Sequence, residues 1–95
     1  GSKATQRKVY LGKISNYFDR IGVAEVAMET GSLQVGDDIL IMGPTTGVVE
    51  NTVKELRVDE LNVESAVKGE KVSLPLGKLV RRSDKLYKLL TTSSA

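Results

Sequence analysis

Cysteine and histidine are both missing from this chain of 95 residues. Without cysteine there is no disulfide framework, no thiolate nucleophile and no cysteine-based zinc or iron–sulfur site. Without histidine the commonest general base and the commonest transition-metal ligand are gone. Carboxylates, lysines and hydroxyls are what remain, so the chain is expected not to be an enzyme by itself, and no metal or organic cofactor is implied. The lack of thiols fits a reducing, cytoplasmic setting. Long apolar runs are scarce too. Residues 39–42 form one of the longest, far short of the ~20 needed to cross a bilayer, and no signal-peptide core opens the chain, so a soluble protein with no membrane partner is expected. The net charge of +2 does not by itself demand a nucleic-acid partner.

What is present is Val, Leu and Ile in short runs separated by Gly, Asp and Asn, a pattern of strands. No window of helical length keeps a 3.6-residue period. Residues 8–15 read as a first strand and 22–28 as a second, joined by a hairpin connection over 16–21 whose aromatics pack across the turn. A loop over 29–37 leads to a third strand at 38–42. Gly43, Pro44 and Gly47 then mark a tight turn, Pro44 presetting φ and the glycines free to take positive φ. A fourth strand spans 48–58. Its apolar parity changes from odd positions (Val49, Val53) to even ones (Leu56, Val58), so a bulge or bend is expected near Lys54 and Glu55. Residues 61–69 are expected to form a connection with one helical turn. Residues 70–76, with Pro75 at a sheet edge, and 85–90 complete six strands.

Six short strands at this spacing predict an all-β fold, a six-stranded, closed, mostly antiparallel barrel, since closure removes exposed edges from so small a sheet. The domain is expected over 9–90. Residues 1–8 are expected as a flexible flank, whose Gly1-Ser2 start reads as the scar of a removed affinity tag, and 91–95 as a flexible tail.

Two carboxylate pairs stand out, Asp37 with Asp38 and Asp59 with Glu60. Neighbours on a strand point to opposite faces, so neither pair aims at one substrate atom, and both read as turn or surface charge. Asp37 follows Gly36 as in a tight turn, where its side chain can accept backbone N–H groups. The 43–47 turn lacks the lysine and helix of a phosphate-binding loop. One charge cluster remains: Lys78, Arg81, Arg82, Lys85 and Lys88 against Asp84, a local +4, facing a local −3 over residues 50–64. It would suit a phosphate-rich RNA backbone or an acidic protein face; the bland alternative is solvated lysines around a last strand, the more so with few aromatics to stack on bases. Tyr10, Tyr17, Phe18 and Tyr87 read as core or turn anchors.

Residues 12–26, Gly-Lys-Ile-Ser-Asn-Tyr-Phe-Asp-Arg-Ile-Gly-Val-Ala-Glu-Val, and 31–41, Gly-Ser-Leu-Gln-Val-Gly-Asp-Asp-Ile-Leu-Ile, resemble the second domain of translational GTPases such as elongation factor Tu. That domain is a small β-barrel. More specifically, residues 41–50 (Ile-Met-Gly-Pro-Thr-Thr-Gly-Val-Val-Glu) and 78–88 (Lys-Leu-Val-Arg-Arg-Ser-Asp-Lys-Leu-Tyr-Lys) resemble the C-terminal barrel of collagenase-like peptidases of unassigned catalytic type. The likeness spans about 9–89. It implies a parent that is a peptidase, or a related RNA-modifying enzyme, with its chemistry in another domain, so no catalytic residue carries over. The chain would then be an accessory domain packed beside, or closing over, the catalytic domain of the same parent and helping to select a protein substrate. The translation-factor likeness implies instead an RNA- or ribosome-binding barrel, and a structural spacer between domains is the third reading.

Overall fold

The computed structural model describes residues 4–93, and side chains of 7–90, as strands and turns with no helix among them. The strands are β1 (Ala4–Phe18), β2 (Val23–Met28), β3 (Ser32–Gln34), β4 (Asp38–Gly43), β5 (Gly47–Thr52), β6 (Leu56–Val58), β7 (Leu61–Val63), β8 (Ser65–Val67), β9 (Lys71–Pro75) and β10 (Lys85–Ser93).

The spine is the β1–β10 ladder, antiparallel from the Ala4–Ser93 pair to the Lys13–Lys85 pair. Register shifts between Tyr10 and Gly12 and between Ile14 and Asn16 bend β1. A bulge adds a residue and increases local twist, so one long strand can serve β10 along most of its length and β2 along its second half. The large sheet runs β5-β4-β10-β1-β2-β9-β6-β7, and β3 pairs with β8 as a separate ribbon. Its inner face follows the two-residue period: Ala24, Val26 and Met28 point inward from β2, Val72 and Leu74 from β9. Leu11, Leu33, Ile39, Leu56 and Leu86 complete the centre with no exposed area. Each fully buried aliphatic side chain of this size gains roughly 1.5–3 kcal/mol from leaving water.

Three expectations are corrected. The sheet does not close into a barrel and has more than six strands, because the chain turns where one long strand was expected over 48–58. Val53 is buried, and its backbone bonds with Gly36 and Asp37, both at 2.8 Å, instead of with a strand, so β5 and β6 separate at the bend expected near Lys54. In place of a closing ladder, these bonds, the Val35 N–H to Glu64 carbonyl bond at 3.0 Å and the β3–β8 ribbon cover the core. The connection at 61–69 holds no helical turn but β7 and β8, set by the pairing of Leu61 with Val58 and of Ala66 with Leu33. Strand pairing also reaches into the expected flanks, with Ala4–Lys8 in β1 and Thr91–Ser93 in β10; residues 1–3 and 94–95 lie outside the described residues.

Candidate binding surfaces

Between β3 and β4 the chain turns at Gly36 and Asp37. Gly36 has φ 97°, and the Asp37 carboxylate accepts the Gln34 backbone N–H at 2.8 Å. The 43–47 turn closes the β4–β5 hairpin through the Gly43–Gly47 pair, with φ of 77° at Gly47. Pro44 is exposed within it, and Gly43 does not take positive φ. Its missing side chain serves another end: a Cβ there would overlap the carboxylate of Asp84. Asp84 is buried, and its Oδ2 accepts from the Thr46 hydroxyl and, at 2.9 Å, from the Arg81 backbone N–H. Its own carbonyl accepts the Ile14 N–H at 2.8 Å. A single residue thus ties the 81–84 turn to the β4–β5 hairpin through its side chain and to the bent part of β1 through its carbonyl.

That corner carries part of the basic cluster. Arg81 and Arg82 are exposed in the turn, Lys85 starts β10 and Lys78 is exposed in the loop after β9. Lys88 is turned aside: its ammonium donates to the Ser32 carbonyl at 2.8 Å and lies 3.9 Å from Asp37 Oδ2. The sequence missed Lys13, which pairs directly with Lys85 across the β1–β10 ladder. Like charges opposite one another cost a few tenths of a kcal/mol or more, roughly 0.2–1 in magnitude. No carboxylate forms an ion pair with Lys13, Lys78, Arg81, Arg82 or Lys85 among the described residues.

The acidic segment of the sequence borders a groove of about 670 Å³ on the outer face of β2, β9 and β6. Phe18 and Ile21 at the β1–β2 turn form one side, both exposed, and Val23 and Pro75 lie between. The other side is the β6–β7 hairpin with Glu55, Arg57, Asp59 and Glu60. The groove exists because β9 uses only one edge fully. It pairs with β2 over five residues but meets β6 at the Arg57–Ser73 pair alone, so the two strands splay. Asp59 and Glu60 form a two-residue loop with φ of 52° and 66°. Asp is among the residues that adopt a left-handed conformation, whereas Glu60 holds a position usually taken by Gly, at a strain of about 1–2 kcal/mol.

The Asp38 carboxylate accepts the Thr52 hydroxyl at 2.9 Å while Asp37 serves its own turn, and Asp59 and Glu60 share the hairpin tip. No group of three or more acidic residues among the described ones is placed to hold a metal ion, and no described helix is long and apolar enough to cross a membrane. The aromatics are not core anchors in the main. Tyr10 and Tyr87 stack edge to face at 5.8 Å on the outer surface, with the Lys8 ammonium 5.1 Å from the Tyr87 ring centre; only Tyr17 packs against the core. Tyr10 donates to Glu29 Oε2 at 2.7 Å, and partial removal from water together with that bond pushes its phenol up to about 12.

The fold defines a class before the sequence defines relatives. It superposes on the C-terminal domain of a protein assigned to the U32 peptidases, from Geobacillus thermoleovorans, with a TM-score of 0.78 and 15% identity over 84% of this chain and 91% of that one. A bacterial selenocysteine-specific elongation factor gives a TM-score of 0.68 at 22% identity, over 85% of this chain and 15% of that one. By sequence, the chain is 51% identical over 88 residues to a protein named collagenase from Porphyromonas gingivalis, 93% of this chain and 21% of that protein. It is 40% identical over 92 residues to an uncharacterized protease of Methanocaldococcus jannaschii, 97% of this chain and 22% of the relative. No family model matches. The chain is therefore homologous to a segment of collagenase-like proteins, and spans about a fifth of the length of the curated relatives it matches.

Proposed function

We propose that the chain is an accessory domain of a collagenase-like peptidase, beside or over a catalytic domain elsewhere in the same protein, where it helps to engage a protein substrate. The observation that carries this reading is the 51% identity across 93% of the chain to a segment that makes up 21% of a protein named collagenase. Asp37, Asp38 and Asp84 fit it, each serving the fold through the Gln34 N–H, the Thr52 hydroxyl, and the Thr46 hydroxyl with the Arg81 N–H in turn.

Deleting the domain from the longer protein tests the reading. Cleavage of a short fluorogenic peptide should persist, while kcat/KM on gelatin or another protein substrate should fall at least tenfold. Equal turnover of both substrates with and without the domain would leave a spacer role instead.

The exposed cations favour a second reading as an RNA-binding surface. Lys13 is kept opposite Lys85, beside a turn that presents Arg81 and Arg82. Phosphate contacts release counterions, so affinity for a single-stranded RNA should fall steeply with salt, and by less in an Arg81→Ala/Arg82→Ala variant. Salt-insensitive or absent binding removes this reading.

A further inference from the structure

The groove between the β1–β2 turn and the β6–β7 hairpin takes no part in the basic surface. We infer that it is a docking site for an extended peptide segment that alternates apolar with lysine or arginine side chains.

Its chemistry selects such an occupant. Phe18, Ile21 and Pro75 offer apolar surface to solvent, Ile21 with 69% of its area exposed. Burying surface of this kind supplies affinity without direction. Direction comes from charge. Four carboxylates line the groove against two cations, and one of those cations, Arg57, is already bonded to Glu55 at 3.2 Å. Glu25 is held at 2.8 Å by the Ser15 hydroxyl. Asp59 and Glu60 stand at the rim with no ion-pair partner among the described residues. A nucleic acid backbone meets like charge here, while an ammonium or guanidinium beside an apolar side chain meets complementary groups on both counts. The volume, about 670 Å³, is of the size that ligand clefts have, roughly 300–1,000 Å³.

The hairpin tip gives a second argument. Asp suits the first left-handed position, but Gly at the second would satisfy the loop at less strain than Glu60, and the loop carries a second acid there. Strain kept at a ligand-facing rim is how binding sites commonly hold their geometry. The inference does not rest on the peptidase reading, because it concerns what the 95-residue chain binds by itself.

The test uses NMR titration of the whole chain with an acetylated seven-residue peptide alternating valine with lysine, alongside the same peptide with glutamate at the lysine positions. The lysine peptide should shift amides of residues 18–23, 55–60 and 71–74, and the glutamate peptide should bind at least tenfold more weakly. The variant Asp59→Asn/Glu60→Gly relaxes the loop while removing both charges. It should melt no lower than the parent chain yet bind the lysine peptide about three- to tenfold more weakly, the size expected for losing exposed ion pairs. Unchanged affinity in that variant, equal binding of the two peptides, shifts confined to residues 78–85, or no binding at millimolar peptide would each overturn the inference. So would self-association in sedimentation that the same variant abolishes, which would make a second copy of the chain the occupant.

Discussion

At the corner where the 43–47 and 81–84 turns meet, Asp84 is buried and its Oδ2 accepts from both the Thr46 hydroxyl and the Arg81 backbone. At the β6–β7 hairpin, Asp59 and Glu60 stand in solvent and bond to nothing described. Both places hold side-chain-bearing residues at positive φ, Ser83 at 72° in the first and the two acids in the second. In the basic corner the acid is a strut that fixes cations around it, whereas in the acidic hairpin the acids are the presented surface. Net local charge, +4 in one segment and −3 in the other, hides this reversal. A carboxylate matters by what it bonds, and only the unbonded ones are left for a partner.

The comparison can be broken at either end. Leu56 is fully buried and anchors the hairpin that forms one wall of the groove. Leu56→Ala should cost about 2–5 kcal/mol in denaturant unfolding. A loss under ~0.5 kcal/mol would detach the wall from the core. Asp84→Ala should cost about 1–3 kcal/mol, since it leaves the Arg81 N–H and the Thr46 hydroxyl without an acceptor. A double-mutant cycle with Thr46→Ala should be non-additive; simple additivity would show that the strut does not couple the two turns.

Ser83→Gly relaxes the left-handed residue while keeping the N–H that bonds Ile14 at 2.9 Å. It should raise stability by up to about 1 kcal/mol, visible as a higher melting temperature. The smallest effect is on pH. Tyr10 holds its proton more tightly folded, near 12, than unfolded, near 10.0, so its contribution is complete below pH 10 and is lost as pH rises toward 12. Tyr10→Phe should flatten that part of the alkaline stability curve, and leave the Asp84 corner unchanged.

Much of the strand layout was legible. Alternation located the cores of β1, β2, β4, β9 and β10, and the parity change at Lys54 gave the break between β5 and β6. β7 and β8 were not legible, because each has three residues and of their side chains only Ala66 is buried, too little to impose a period. Barrel closure failed on Val53, whose backbone bonds go to a turn that is 16 residues earlier at Asp37. The basic segment was visible as a run of letters, but Lys88 leaves it for Ser32 and Lys13 joins it through strand register. Asp84 read as a lone anion among cations; its partner signal was Gly43, which lies across the hairpin and needs no side chain. The groove gave no linear signal, being assembled from three distant segments, and Phe18 looked like turn packing.

The β1–β10 ladder has a mechanical consequence. Because Ala4 lies opposite Ser93, a longer protein would enter and leave this domain at neighbouring points, on the same side. Tension along such a protein would load the ladder one rung at a time, peeling the two strands apart like a zip instead of shearing all their bonds at once. The outermost rungs would yield first, lengthening both tethers, and the sheet beyond Tyr10, with its bulge, would stay shut as a stop.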